Sequence, residues 1–221
     1  MPRLDRYRSL ISKGRPAELE SWVRALLIHY HFHVSDRQCV EVDVSAQPQA
    51  PRVVNLLTPT VFKGPGRIRL APTVVFGVPR SPDSYACSYV EARMPQSLIQ
   101  IDDGTTINNR AMIVSEGAGI RIGRRCLIGS EFQVVDSNFH QLTLGARHLP
   151  DKSPQPVRVE DDVFIGSRVT LLKGCQIGRG CVIAAGCVVP PSFVAPPMSI
   201  IAGNPARIVG EVGAAASVVA A

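Results

Sequence analysis

Aromatic side chains are scarce in this chain: 7 Phe, 4 Tyr and 1 Trp in 221 residues, against a hydrophobic content of 45%. The apolar mass is branched aliphatic instead, with 27 Val, 16 Ile and 15 Leu. Such a mass suits strands packed at a narrow, repeated spacing rather than a core built around large rings. Long apolar runs are absent. No stretch approaches the roughly 20 residues that a bilayer-spanning helix needs. Met1 to Lys13 carries charges with no apolar segment behind them, so no secretory leader is expected and the expected location is cytoplasmic. None of the six cysteines (39, 87, 126, 175, 181 and 187) belongs to a CxxC pair, and reduced thiols fit that compartment. Blocks of like charge interleaved with aromatics are missing as well, so no nucleic-acid partner is expected. The net charge of +6 is carried by 20 Arg and only 4 Lys. Codon composition explains that bias as readily as phosphate binding does, and an anionic small molecule stays open as a partner. The aliphatic content excludes disorder, and so few cysteines exclude a disulfide scaffold.

From Pro16 onward, Leu19, Val23, Leu26 and Leu27 share one helical stripe, with Pro in the first turn and Glu18 and Glu20 early. This predicts a short amphipathic helix docked on the main body. Arg3, Arg6, Arg8, Lys13 and Arg15 precede it, so any membrane contact is expected to be peripheral at most. His29, His31 and His33 alternate, which on a strand would align three imidazoles on one face. No acidic or cysteine partner stands at ligand spacing, so no metal is expected. Residues from about 46 to 66, with Gln47-Pro48-Gln49-Ala50-Pro51 and Gly64-Pro65-Gly66, read as a connector.

Self-similarity begins downstream. Stepping by six from Val159 gives Ile165, Leu171, Ile177, Ile183 and Val189. Val, Ile and Leu make up about a quarter of the chain, so six in a row has a chance on the order of 10⁻³ to 10⁻⁴ per window. Four residues after each stands another apolar residue: Val163, Val169, Cys175, Cys181, Cys187 and Phe193. Upstream the period runs Ile101, Ile107, Ile113, slips by three, and resumes at Ile122, Ile128 and Val134. A small residue often follows the aliphatic one, as in Ile122-Gly123, Ile165-Gly166 and Ile183-Ala184. This is a hexapeptide repeat. One hexad is a short strand plus a corner, and three corners close a triangular coil whose aliphatic residues stack inward. The small residue after each is expected to serve the bend through its backbone freedom, and the cysteines of the repeat are expected to be buried thiols.

The stretch Val163-Phe164-Ile165-Gly166-Ser167-Arg168-Val169 through Val182-Ile183-Ala184-Ala185-Gly186, ending in Ala202-Gly203-Asn204-Pro205-Ala206-Arg207, resembles the hexapeptide-repeat acyltransferases, and within them the sugar and polysaccharide O-acetyltransferases. The resemblance implies an all-β fold, a left-handed parallel β-helix with a short N-terminal helical segment. The expected organisation is a helical segment and connector over 1–60, the β-helix over 61–209 with a loop extruded at about 140–158, and a C-terminal tail over 210–221. The loop is visible in the sequence itself. The period stops after Val134-Val135-Asp136-Ser137-Asn138-Phe139-His140 and resumes at Val159, across a stretch holding Gly145, Pro150, Pro154 and Pro156.

Transfer of an acetyl group to a hydroxyl needs a base, and imidazole can take the proton as attack proceeds. The resemblance puts that role on His140, at the root of the loop; His148, inside the loop, lacks scaffold support. Asp136 is a candidate to orient His140 or touch the acceptor, with a turn-forming role as the other reading. Asn109 matches an acceptor-binding position, with a corner Asn as its competitor. Ser167, Ala185 and Arg207 match positions that hold coenzyme A, Arg207 near the phosphates. Pro190-Pro191 stands where relatives often carry Thr-Lys, which leaves Arg179 or Arg168 as substitutes for a missing cation. The implied activity is acetyl-CoA-dependent O-acetyl transfer to a sugar or a polysaccharide precursor, in a homotrimer, with no metal. An amino-sugar N-acetyltransferase, a serine acetyltransferase-like enzyme and a non-catalytic β-helix scaffold are the alternatives. A carbonic anhydrase on this fold would need three zinc histidines, and the repeat region has only His140 and His148.

Overall fold

The computed structural model describes residues 16–35 and 37–213. The basic run before Pro16, and with it any peripheral membrane contact, lies outside the described residues, as does the Ala-rich end from residue 214. Twenty-one strands among the described residues form three sheets, of seven, eight and six strands, and the chain visits them in rotation until the last strand, which stays in the eight-stranded sheet. Every pairing is parallel except the last, where Ser199–Gly203 runs antiparallel to Ala206–Glu211. The architecture is therefore a parallel β-helix, left-handed as the resemblance implies.

The six-residue period maps onto this coil directly. Val159 pairs with Ile177, Ile165 with Ile183 and Leu171 with Val189, each pair one full turn of 18 residues apart. Three inward columns result: Ile101, Ile122, Val159 and Ile177 on the seven-stranded wall; Ile107, Ile128, Ile165 and Ile183 on the eight-stranded wall; Ile113, Val134, Leu171 and Val189 on the six-stranded wall. All of them are buried. Cys126, Cys175, Cys181 and Cys187 fill the inward corners with no exposed surface. Burial pushes the Cys175 thiol up to about 11 and raises Cys126 and Cys181 as well, so these sulfurs are packing atoms rather than nucleophiles.

The small residue after each aliphatic has a different cause from the one expected. Gly123, Gly129, Gly166 and Gly178 do not adopt positive φ. Instead, coils approach so closely there that a Cβ on Gly166 would sit 2.5 Å from the backbone nitrogen of Ala185, and one on Gly129 2.5 Å from that of Ser167. The left-handed backbone lies two residues further on, at Arg125, Glu131, Asp162, Arg168 and Gly186 among others.

Two expectations near the N-terminus change. The helix runs Pro16–His33, so the three histidines lie on its last turns and are not aligned as on a strand; His29 and His33 meet with ring centroids 4.2 Å apart. The segment read as a connector is part of the solenoid: Val40–Val42, Asn55–Leu56 and Thr60–Lys63 pair with Arg67–Leu70, Val75–Phe76 and Ser88–Ala92 to make the first coil. Its hexads are stretched by Pro-containing inserts, which hid the period. The helix packs on Thr60–Lys63 and covers this end of the core.

Candidate functional site

Insertions concentrate at one corner, where the six-stranded wall turns into the seven-stranded one. Arg93–Ser97, Glu116–Gly119 and 136–156 all leave the coil there. The three-residue slip in the period is the second of these, and the long loop is the third. The long insertion begins as a two-limbed hairpin. Asp151 N donates to Phe139 O at 3.2 Å, His140 faces Pro150 in an antiparallel bridge, and Gln141 N donates to Leu149 O at 3.0 Å. His140 is thus held by backbone on both sides while its side chain is exposed. Phe139, immediately before it, has φ of 62°, an uncommon conformation for a bulky residue. The tip beyond carries Leu142 and Leu144, 73% and 85% exposed.

Asp136 does not orient His140. Its carboxylate is fully buried and accepts from Ser115 Oγ at 2.7 Å, Glu116 N at 2.6 Å and Gly119 N at 2.7 Å. It fastens the insertion of the preceding coil, a scaffold role that fills both oxygens. Asn109 is corrected in the same way. It is fully buried; its Oδ1 accepts from Val78 N at 2.9 Å and its Nδ2 donates to Val78 O at 3.1 Å and Pro82 O at 2.8 Å. It clamps the loop between Val75–Phe76 and Ser88–Ala92, leaving no amide atom for an acceptor.

Ser167, Ala185 and Arg207 do come together, at a different corner. Where the eight-stranded wall meets the six-stranded one, Asn109, Ser130, Ser167 and Ala185 stack in successive coils, linked by Glu131 N to Asn109 O, Arg168 N to Ser130 O and Gly186 N to Ser167 O. Ser130 Oγ lies 3.2 Å from Ser167 Oγ. The next coil adds Ala202 and Gly203, and Ala202 pairs with Arg207. Gly129, Gly166, Ala184, Ala185, Ala202 and Gly203 make this edge a strip of small, half-buried to exposed residues, ending at an exposed arginine. Of the proposed substitute cations, Arg179 is engaged with Asp162 at 2.9 Å, while Arg168 is exposed.

Within one chain this strip and His140 stand at separate corners, a wall of about six residues apart, or roughly 15–20 Å. A groove of about 880 Å³ belongs to neither; it runs along the outer face of the seven-stranded wall past Arg121, Arg158 and Gln176. Among the described residues no group of three or more His, Cys, Asp or Glu is placed to hold a metal ion, and no helix is long and apolar enough to cross a membrane.

Sequence reasoning missed the residues that fix the loop. Lys173 Nζ reaches Asp151 Oδ2 at 2.7 Å and Ser153 O at 2.9 Å. Ser137 Oγ donates to Glu116 Oε2 at 2.8 Å, and the Arg93 guanidinium lies over the Phe139 ring at 5.0 Å. The one hint was a lysine directly after two leucines of the repeat, in Leu171-Leu172-Lys173-Gly174.

Comparison with known proteins adds the following. The sequence model of a family described as dynactin subunit 5 matches residues 90–219. No curated protein matches the sequence. Among solved structures, the polysialic acid O-acetyltransferase OatWY is 26% identical, with a TM-score of 0.53 over 69% of this chain and 67% of that one. The polysialic-acid-specific acetyltransferase NeuO is 20% identical, with a TM-score of 0.49 over 71% and 79% of the two chains. A maltose O-acetyltransferase from Clostridium difficile 630 is 20% identical, with a TM-score of 0.44 over 80% and 72%.

Proposed function

The chain belongs to the dynactin subunit 5 family, inside the hexapeptide-repeat acyltransferase superfamily of left-handed β-helices, and from that premise we propose that it transfers an acetyl group from acetyl-CoA to a hydroxyl of a sugar or of a polysaccharide or cell-surface glycan precursor. The observation that carries the reading is His140, exposed on a hairpin that both limbs and a rigid corner hold in place. The likeness to a polysialic acid O-acetyltransferase at 26% identity supports the sugar class.

His140 acts as general base. It takes the hydroxyl proton as that oxygen attacks the thioester carbonyl; the carbon–sulfur bond breaks, and the proton passes from the imidazolium to the departing thiolate. The strip from Ser167 to Arg207 suits the donor molecule. Small residues leave room for an extended arm to lie along this edge, and Arg207 at its end offers a planar donor fork to phosphate.

Because the strip and His140 occupy different corners of one chain, a second copy supplies the missing half, in a homotrimer. The outer column of the eight-stranded wall supports that assembly. Leu127, Phe164, Val182 and Ile200 succeed one another there, with Leu127 and Phe164 54% and 51% exposed, an apolar stripe of the kind that marks an interface.

The test is thiol release from acetyl-CoA across sugars, sialic acid polymers, nucleotide sugars, amino sugars and serine. Release with a hydroxylated sugar is expected, and His140→Ala should lower turnover by at least about 10²-fold with melting temperature and subunit count unchanged. Turnover equal to wild type in that variant would sink the assignment. A second reading, a non-catalytic β-helix that serves as a subunit of a larger assembly, is favoured by the family description. It predicts no release with any acceptor.

A further inference from the structure

Among the described residues one ion pair is out of water on both sides. The Lys173 and Asp151 side chains are 10% and 6% exposed, whereas every other pair has at least one partner 28% exposed or more. Burying two charges carries a large desolvation penalty, and replacing such a pair by apolar residues is often neutral or stabilising. Its position here suggests what it does. Lys173 follows the strand Thr170–Leu171 in the coil after the loop, where Ser192 N donates to its carbonyl. Asp151 lies on the returning limb of the hairpin, next to Pro150, which faces His140.

Asp151 joins three parts of the chain. Its Oδ2 accepts from Lys173 Nζ at 2.7 Å and from Asn138 N at 2.9 Å, and lies 3.2 Å from Ser137 Oγ, whose single proton goes to the nearer Glu116. Its Oδ1 accepts from Ser153 N at 3.0 Å. Lys173 also donates to Ser153 O. From the other side Ser137 reaches Glu116, which pairs with Arg93 at 3.4 Å, and Arg93 covers Phe139. The outgoing limb, two residues before His140, and the returning limb are therefore tied to each other and to the coil after the loop through the Asp151 carboxylate, while Ser137 ties the outgoing limb to the coil before the loop through Glu116.

We propose that Lys173, through Asp151, is a positioning residue for His140, holding the hairpin root in the register from which the imidazole works. The proposal rests on the reading of His140 as the base. It assigns Lys173 no contact with either substrate, so its loss should act on the chemical step and not on donor binding.

The experiment measures kcat and the KM for acetyl-CoA in Lys173→Met, in His140→Ala and in the two combined. Expected are a kcat at least tenfold lower in Lys173→Met, an unchanged KM for acetyl-CoA, and no further loss when Lys173→Met is added to His140→Ala. Lys173→Met leaves Asp151 buried and unpaired; should it fail to fold, Lys173→Met with Asp151→Asn removes both charges at similar volume and should show the same split. A folded variant with wild-type kcat overturns the proposal, as does a loss that multiplies with that of His140→Ala. If His140→Ala is itself as fast as wild type, the acyl-transfer reading fails and takes this proposal with it. If only the lysine variants are as fast as wild type, the positioning role fails alone.

Discussion

At the scale of single residues, the polar side chains divide by burial. His140 is exposed on a fixed backbone, whereas Asp136, Asn109 and Asp151 are sealed within hydrogen bonds. Asp151 makes this measurable. Burial would raise its pKa, but the Lys173 ammonium and the backbone N–H groups of Asn138 and Ser153 outweigh burial and hold the carboxyl well below the usual carboxylate range. A carboxyl whose pKa is lower in the folded than in the unfolded state adds stability above its unfolded value, near 4, and that stability is lost as the pH falls through and below it. Urea midpoints at pH 7 and pH 3 should therefore fall further apart in the wild type than in Asp151→Asn, which has nothing to protonate. Equal differences would mean the pair is not linked to folding. Asp136 stands out in the sequence by its place four residues before His140, and Asn109 by its match to an acceptor-binding position of the resembling family. Only burial distinguishes an Asp that presents its oxygens to solvent from one that fastens a neighbouring turn.

At the scale of the coil, two kinds of glycine do separate work. Gly166 is small because the backbone of Ala185 lies against it; Gly186 has φ of 75° and nothing within 4 Å of where a Cβ would point. Gly166→Ala should cost about 3 kcal/mol, since the obstructing atoms are backbone and cannot rotate away. Gly186→Ala should cost about 1–2 kcal/mol, the strain of a left-handed residue alone. Thermal or chemical denaturation of the two variants checks the order, and a larger loss for Gly186→Ala would contradict the stacking argument. The repeat was legible wherever hexads are uniform, from Val159 to Val189. It was illegible in the first coil, where Val40–Val42 and Asn55–Leu56 are separated by a long Pro-containing insert. A six-residue period cannot be counted across inserts of irregular length, although the parallel pairing there is the same.

At the scale of the whole molecule, the three walls differ outside as much as they agree inside. The seven-stranded wall presents Arg69, Gln100, Arg121, Arg158 and Gln176 in one outward column, while the eight-stranded wall presents Leu127, Phe164, Val182 and Ile200. If the apolar column is the surface between copies, Phe164→Asp should convert a trimer to monomer in sedimentation or light scattering. It should abolish turnover while leaving the single-chain coil intact by circular dichroism. A trimer that survives this substitution would place the interface on another wall.

The sequence by itself determined the coil, because one inward aliphatic residue per wall, every six positions and three to a turn, leaves a periodic trace. It also located the break in the coil and the histidine at its edge. Only the tertiary structure decided which polar residues are committed to the scaffold, that the strip of small residues and His140 lie at different corners, and that Lys173 and Asp151, 22 residues apart, meet out of water. Those facts depend on which coil lies above which and on how far an insert travels before it returns. Pairing between coils sets both, and side-chain pattern along one coil records neither.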